Sequence, residues 1–317
     1  MPFWLRKTLI IFALFLIGGH LSAQIVDPGD DMGRINLSGG NINTAVPFLL
    51  ISPDARGGSL GNAGVASSPD INSQHWNAAK YAFIEDRYGL SLTYSPWLRT
   101  LVHDMNLLYL AGYYRLDNDW VIGSSLRFFS LGEVVFRIDR YDPGVAHRPN
   151  EWAFDLSLSR RLSEHFSLSV AGRYIRSNLT AGFIDPSSGR VTSAANSGAV
   201  DVSMFYTRPI RTPNAEASSF ALGMAVSNIG AKISYSEDLQ RDFLPTNLRL
   251  GGSYTVLFDR HNELTAMLDF NKLLVPTPPI RDSIGQVIAG REDNVGVIQG
   301  IFQSFSDAPG GWREELH

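Results

Sequence analysis

The chain contains no cysteine, which removes disulfides, thiolate nucleophiles, thiolate metal sites and a lipidated cysteine together. It contains no Lys/Arg-rich run, and its 27 basic against 31 acidic side chains leave a net charge of −4. Nothing in that balance attracts a nucleic-acid backbone, so no nucleic-acid partner is expected. Also missing is any apolar run of the ~20 residues that a spanning helix needs. The apolar stretch 9–17 is too short for that and stands between Arg6-Lys7 and Leu21-Ser22-Ala23, the layout of a secretory signal cleaved after Ala23. Residues 1–23 are therefore expected to be a signal peptide. A mean hydropathy close to zero decides nothing, because a barrel with lipid-facing and lumen-facing residues in alternation averages to the same value.

What is present is a period of two. Phe154, Leu156 and Leu158 alternate with Asp155, Ser157 and Ser159, and Phe166, Leu168 and Val170 alternate with Ser167, Ser169 and Ala171. Phe220, Leu222, Met224 and Val226 oppose Ala221, Gly223, Ala225 and Ser227, while Leu264, Leu268 and Phe270 oppose Glu263, Met267 and Asp269. Similar segments at 89–98, 106–116, 120–129, 200–206 and 248–258 bring the expectation to nine strands. Strands of soluble sandwiches run to about 5–6 residues; the ~10 seen here are what a tilted strand needs to cross hydrocarbon. Ser, Gly, Thr and single Arg or Asp residues on the opposite face suit a wet or small-residue interior. The fold class expected is all-β, a transmembrane antiparallel β-barrel occupying residues 88–317. Tyr94, Trp97, Trp120, Phe129, Trp152 and Tyr206, near strand ends, are expected to form an interfacial aromatic girdle.

Connections alternate in length. Those at 116–119, 163–165 and 259–262 are tight, those at 130–151, 177–197 and 228–245 are long, and 207–217 is intermediate. Short turns belong on the periplasmic side of an outer-membrane barrel and long loops outside. An odd strand count does not close a bacterial barrel, and an open edge in lipid leaves backbone groups unpaired. The expectation is that closing strands lie beyond His317, or that a partner completes the wall. Residues 24–87 are glycine-rich, broken by Pro47, Pro53 and Pro69, and short of strand pattern; they are expected to fold into the lumen as a plug.

Chemistry-bearing motifs are weak. Gly57-Gly58-Ser59-Leu60-Gly61 has the letters of a nucleophile elbow, but Pro53, Asp54 and the paired glycines do not make the strand that must precede the serine. His75, His103, His147, His165 and His261 show no ligand spacing and read as loop and turn histidines. Asp27, Asp30 and Asp31 lack the bidentate Glu of a calcium loop. No cofactor, metal or catalytic residue is expected.

Longer strings carry a resemblance. Residues 45–56, with Pro47, Pro53, Asp54 and Arg56, are followed by 61–66, with Gly61 and Gly64, and by Gln74-His75-Trp76-Asn77. Further strings are 226–230 with Asn228, 243–249 with Pro245 and Asn247, 269–278 with Pro276 and Pro278, and 306–311 with Asp307, Pro309 and Gly310. Over nearly all of the mature chain the sequence is similar to the PorV (LptO) family of outer-membrane proteins of the type IX secretion system. That resemblance implies a FadL-like barrel of about fourteen strands, so that about five would follow His317. It implies a non-enzymatic shuttle that takes cargo by its C-terminal signal domain from the type IX translocon to the attachment complex. There the sortase-like PorU removes the signal and links cargo to lipopolysaccharide. Competing readings are a FadL-like transporter of hydrophobic small molecules and a lipid A deacylase, the latter requiring Ser59 or another nucleophile with its partners.

Overall fold

A computed structural model describes residues 42–97, 104–137, 141, 143–179, 193–212, 215–235, 241–282 and 284–309. The expected signal peptide, Asp27, Asp30, Asp31, His103 and Gly310 lie outside the described residues. Among the described residues, nine antiparallel strands form one sheet in the order β1-β2-β3-β6-β7-β8-β9-β10-β11, each paired with its sequence neighbours in the sheet. They are β1 (Tyr88–Pro96), β2 (Asn106–Arg115), β3 (Trp120–Ser130), β6 (Asn150–Arg161), β7 (Phe166–Asn178), β8 (Ala195–Ile210), β9 (Ala217–Gly230), β10 (Asn247–Asp259) and β11 (Asn262–Leu273). Two small hairpins stand apart from it, β4 (Val134–Phe136) with β5 (Val145–His147) and β12 (Ile280–Arg281) with β13 (Val287–Ala289). The expected all-β sheet of nine strands is therefore present, a meander in which every neighbour is the next long strand.

Burial on this sheet runs against the rule for water-soluble proteins. On β7, Ser169 is 3% exposed and its neighbour Val170 54%. On β6, Ser157, Ser159, Asp155 and Ala153 are buried while Phe154, Leu156 and Leu158 are exposed. The strand pleat sends alternate side chains to opposite faces, so one face carries Leu, Val, Phe and Tyr outward across the whole sheet and the other is packed with Ser, Ala, Gly and a few charges. A continuous apolar face of that width far exceeds what soluble monomers expose, and it matches the lipid-facing side of a membrane barrel.

Several boundaries differ from the sequence expectation. β8 begins at Ala195 and ends at Ile210, well beyond the expected 200–206, because the small residues Ala195, Ser197, Gly198 and Ala199 pair in register without supplying an apolar alternation. Its extension takes in Pro209, opposite Ser219 of β9. β7 pairs with β8 only as far as Phe166 against Tyr206, so the proline sits where one side of the strand has no ladder to supply. The connection to β9 is accordingly tighter than expected. Two of the girdle aromatics are also corrected: Phe129 is buried on the inward face and Trp97 packs against the same cluster, since both fall on inward-pointing positions of their strand lines. Trp152 stands on the apolar face with its ring 5.4 Å from that of Tyr174, and the Arg160 guanidinium lies 4.8 Å from the Trp120 ring.

Residues 42–87 cross the inward face from the long-loop end to the tight-turn end. Phe48 stacks on Phe129 at 6.3 Å, beside the loop after β3, whereas Tyr81 packs with Tyr113 and Val121 at the β2–β3 turn. The segment is built of short turns: Pro47–Leu50, Ala55–Ser59, Ser73–Trp76 and Ala78–Phe83. None is long enough to be stable alone, so its conformation is set by what it binds on the sheet.

Candidate functional site

The inner segment is pinned first to itself. Asp54 caps the Ala55–Ser59 helix by accepting from Gly57 N at 2.7 Å through one carboxylate oxygen. Through the other it accepts from Trp76 Nε1 at 2.9 Å. The indole then lies flat against both Gly57 and Gly64, where any Cβ would fall inside the ring's van der Waals envelope. Asn77 caps the next turn by accepting from Ala79 N and donates to Val65 O and to Met204 O of β8, both at 2.9 Å. Lys80, fully buried, donates to Gly64 O and Ser67 Oγ at 2.9 Å each.

The sheet supplies the remaining partners. Ser157, Ser159, Ser167 and Ser253 donate to Gln74 Oε1, Ala78 O, Ala79 O and Ala66 O over 2.6–2.8 Å. Arg127 of β3 donates to Leu49 O at 2.7 Å and meets His75 Nδ1 at 2.7 Å. Guanidinium has no acceptor, so that ring nitrogen is unprotonated. Arg249 of β10 donates to His75 O at 3.1 Å, with its guanidinium 5.4 Å from the Trp76 ring. Asp269 of β11 accepts from the successive backbone groups Gly64 N at 2.7 Å and Val65 N at 2.9 Å. Buried polar groups are thereby paired across strands from β3 to β11, while Gln74 Nε2, His75 Nε2, Arg127 Nε and Asp269 Oδ1 are buried without a hydrogen-bond partner among the described residues.

A second cluster runs from the middle of the sheet to its long-loop end. Arg173 bridges Asp155 at 2.5 Å and Asp201 at 2.9 Å and also donates to Asn228 Oδ1. Asn228 has φ +62°, a left-handed conformation to which asparagine is suited. Its N–H donates to Asp201 at 2.7 Å, its Nδ2 to Pro245 O at 2.9 Å, and its carbonyl accepts from Thr246 Oγ1 at 2.8 Å. Asn247, with its amide turned to satisfy both neighbours, donates to Lys272 O at 2.9 Å and accepts from Arg249 Nε at 3.3 Å. The chain leaving β11 is tied to this knot: Leu274 N donates to Thr246 O at 2.7 Å and Thr277 N to Asp307 at 3.0 Å. Buried Pro276 and half-buried Pro309 pack close to Gly300 and Gly290.

The structure thus gathers Asp54, Gly64, Trp76 and Asn77 into one packed unit and Asn228, Pro245 and Asn247 into another, with Asp307 joined to the latter through the chain after β11. It leaves the other motif residues at the margins. Pro47 is exposed at the first position of its turn, Pro53 is buried beside the capping Asp54, Gly61 turns the chain at φ +69°, and Pro278 is half-buried. Arg56 pairs with Asp70 at 2.5 Å with 42% of its side chain exposed. Reading the histidines as turn residues fails for His75, which is 6% exposed and held between Arg127 and Trp76. His165 and His261 do lie at turns, where their N–H groups donate to Ser163 Oγ and Asp259. Ser59 ends a five-residue helix and returns its hydroxyl to Arg56 O at 2.8 Å, which is not a strand-to-helix elbow. The charges Arg127, Asp201 and Arg249 were not distinguished by the sequence, where each is one polar residue in an alternating strand.

Outside the membrane-crossing strands, the Asp117 carboxylate in the β2–β3 turn accepts from Asp119 N at 2.8 Å and Trp120 N at 2.7 Å, and these bonds hold its pKa below the usual value. A groove of about 560 Å³ opens between the inner segment and β1, lined by Leu50, Ile51, Pro53, Thr93, Ser95 and Trp97.

Residues 36–280 match the model of a family described as type IX secretion system protein PorV. No curated protein matches the chain.

Proposed function

Since the chain belongs to the PorV family of type IX secretion system proteins, we propose that it is an outer-membrane shuttle that binds secreted cargo by its C-terminal signal domain. In this reading residues 1–23 are a cleaved signal peptide, 24–87 a lumen plug and 88–317 barrel wall. The observation that carries it is how the two faces of the sheet are used. The outward face is apolar and suited to lipid, and the inward face is taken up by hydrogen bonds to the protein's own inner segment. The loops and the segment after β11, at the long-loop end, remain as the surface on which another protein can be held.

The partners that follow are the translocon that delivers cargo and the attachment complex, with its sortase-like PorU, that receives it for linkage to lipopolysaccharide. The role is non-catalytic. A tagged signal domain added to detergent-extracted protein should retain it on the resin. Loss of capture on deleting the 276–309 segment, with the heat-modifiable band kept, supports recognition at the long-loop end. Absence of capture by the intact protein contradicts the shuttle.

A second reading, a FadL-like transporter of hydrophobic small molecules, is favoured by the groove beside β1. It requires uptake of an apolar probe to fall in a deletion strain and to return with the wild-type chain. The lipid A deacylase reading finds no support at Ser59, whose hydroxyl is engaged with its own helix; Ser59→Ala should leave lipid A unchanged.

A further inference from the structure

The segment after β11 carries a short helix, Val297–Gln303, whose two sides differ sharply. Gly300, Gln303 and Ser304 are buried. Gly300 sits against Phe243 and Pro276 so closely that a Cβ would be at the limit of contact, and Gln303 donates to Glu292 O at 2.8 Å. These contacts fix the helix's rotation. The opposite side presents Ile298 at 63%, Phe302 at 74% and, just past the helix end, Phe305 at 50% exposure. Spacings of four and three residues put the three on one stripe.

This stripe is not isolated from the rest of the molecule. The Lys272 ammonium lies 5.6 Å from the centre of the Phe305 ring, within reach of a cation–π contact. Lys272 is two residues beyond Phe270 and four beyond Leu268 on β11, the positions that point to the outward apolar face and are 66% and 62% exposed. The aromatic stripe therefore continues the apolar face of β11 at its long-loop end, with a lysine at the junction. Apolar and aromatic groups beside a cation at the end of a membrane-crossing strand form the composition that sits at headgroup depth.

We infer that the Ile298–Phe302–Phe305 stripe rests on the outer-leaflet lipid surface and holds the segment after β11 against the membrane beside the last strand of the sheet. The inference rests on the reading of the outward face as lipid-facing. The structure supports lipid as the occupant through the stripe's continuity with that face. A second copy, another protein or another segment of the chain would also cover these residues, but each would shield them from lipid.

Because the chain has no cysteine, single-cysteine variants report one site at a time. Phe302→Cys and, separately, Leu268→Cys are labelled with a small fluorophore in the full chain, checked for the folded heat-modifiable band, and reconstituted into vesicles. The vesicles carry a nitroxide either near the headgroup or at mid-chain. The expected result is quenching at 302 that is strongest with the shallow nitroxide, and quenching at 268 strongest with the mid-chain one. Quenching at 268 with none at 302 from either lipid overturns the inference and leaves the membrane-spanning sheet standing. No quenching at either position overturns both.

Discussion

The inward and outward faces of the same nine strands obey different solvents. Inward, Ser157, Ser159, Ser167 and Ser169 are buried and each makes a hydrogen bond; outward, Leu156, Leu158, Leu168 and Val170 stand open. In water the second face would drive collapse or aggregation at ~25 cal/mol for every Å² it could bury. Here it persists because hydrocarbon offers no such drive, while the inner polar groups must find protein partners. The lesson is that burial and hydrophobicity are separable: what decides the fold is which face has its hydrogen bonds closed.

The largest test of that contrast is Arg173→Ala. It leaves the Asp155 and Asp201 carboxylates facing each other without their shared cation, and loss of one partner from a buried charge network costs ~3–5 kcal/mol. A lowered urea midpoint, or loss of the heat-modifiable band, measures it; an unchanged midpoint would show the inner charges to be solvated. Leu156→Arg comes next. Leu156 is 53% exposed, so in a soluble protein the change would fall within about ±0.5 kcal/mol, whereas on a lipid face near the midplane it costs ~2–4 kcal/mol. Folding into vesicles, followed by denaturant titration, separates the two.

Gly64→Val acts on the inner segment, where Trp76 packs against Gly57 and Gly64. The introduced side chain must displace the Trp76 ring, and overpacking of this kind costs ~1–3 kcal/mol. The expected readout is faster proteolysis within residues 42–84 with the sheet's cleavage pattern retained. Equal resistance would mean that the indole can move aside.

The smallest effect is in pH. Asp117 is held below its ordinary value of 3.8 by two backbone N–H groups, so its contribution is present above that value and is lost as pH falls through the lowered one. Asp117→Asn should lower the unfolding midpoint slightly at pH 7 and flatten its acid limb, the difference from the unsubstituted protein shrinking as pH falls below about 4. A deficit in acid as large as that at pH 7 would assign the effect to packing.

The nine strands were legible in the sequence because a period of two over membrane-length segments is a local signal. Strand ends were not, as at β8, where small residues pair without an apolar pattern. Nor were the partners of the inner segment. Asp269 grips Gly64 and Val65 from about 200 positions away, and His75 meets Arg127 only because the segment crosses the sheet; no local spacing encodes either. The motif strings marked Asp54, Trp76, Asn77 and Asn228 as positions of interest. Their roles as caps, clamps and a left-handed turn became visible only with the backbone in place.

The most direct test of the central claim needs no substitution. Protein reconstituted with lipids bearing a photoactivatable diazirine at mid-chain is irradiated, digested and mapped by mass spectrometry across β7, Phe166–Asn178. The account predicts label on Leu168, Val170 and Tyr174 and none on Ser169, Ala171 and Arg173. Label spread equally over both sets, or confined to the second, would contradict it.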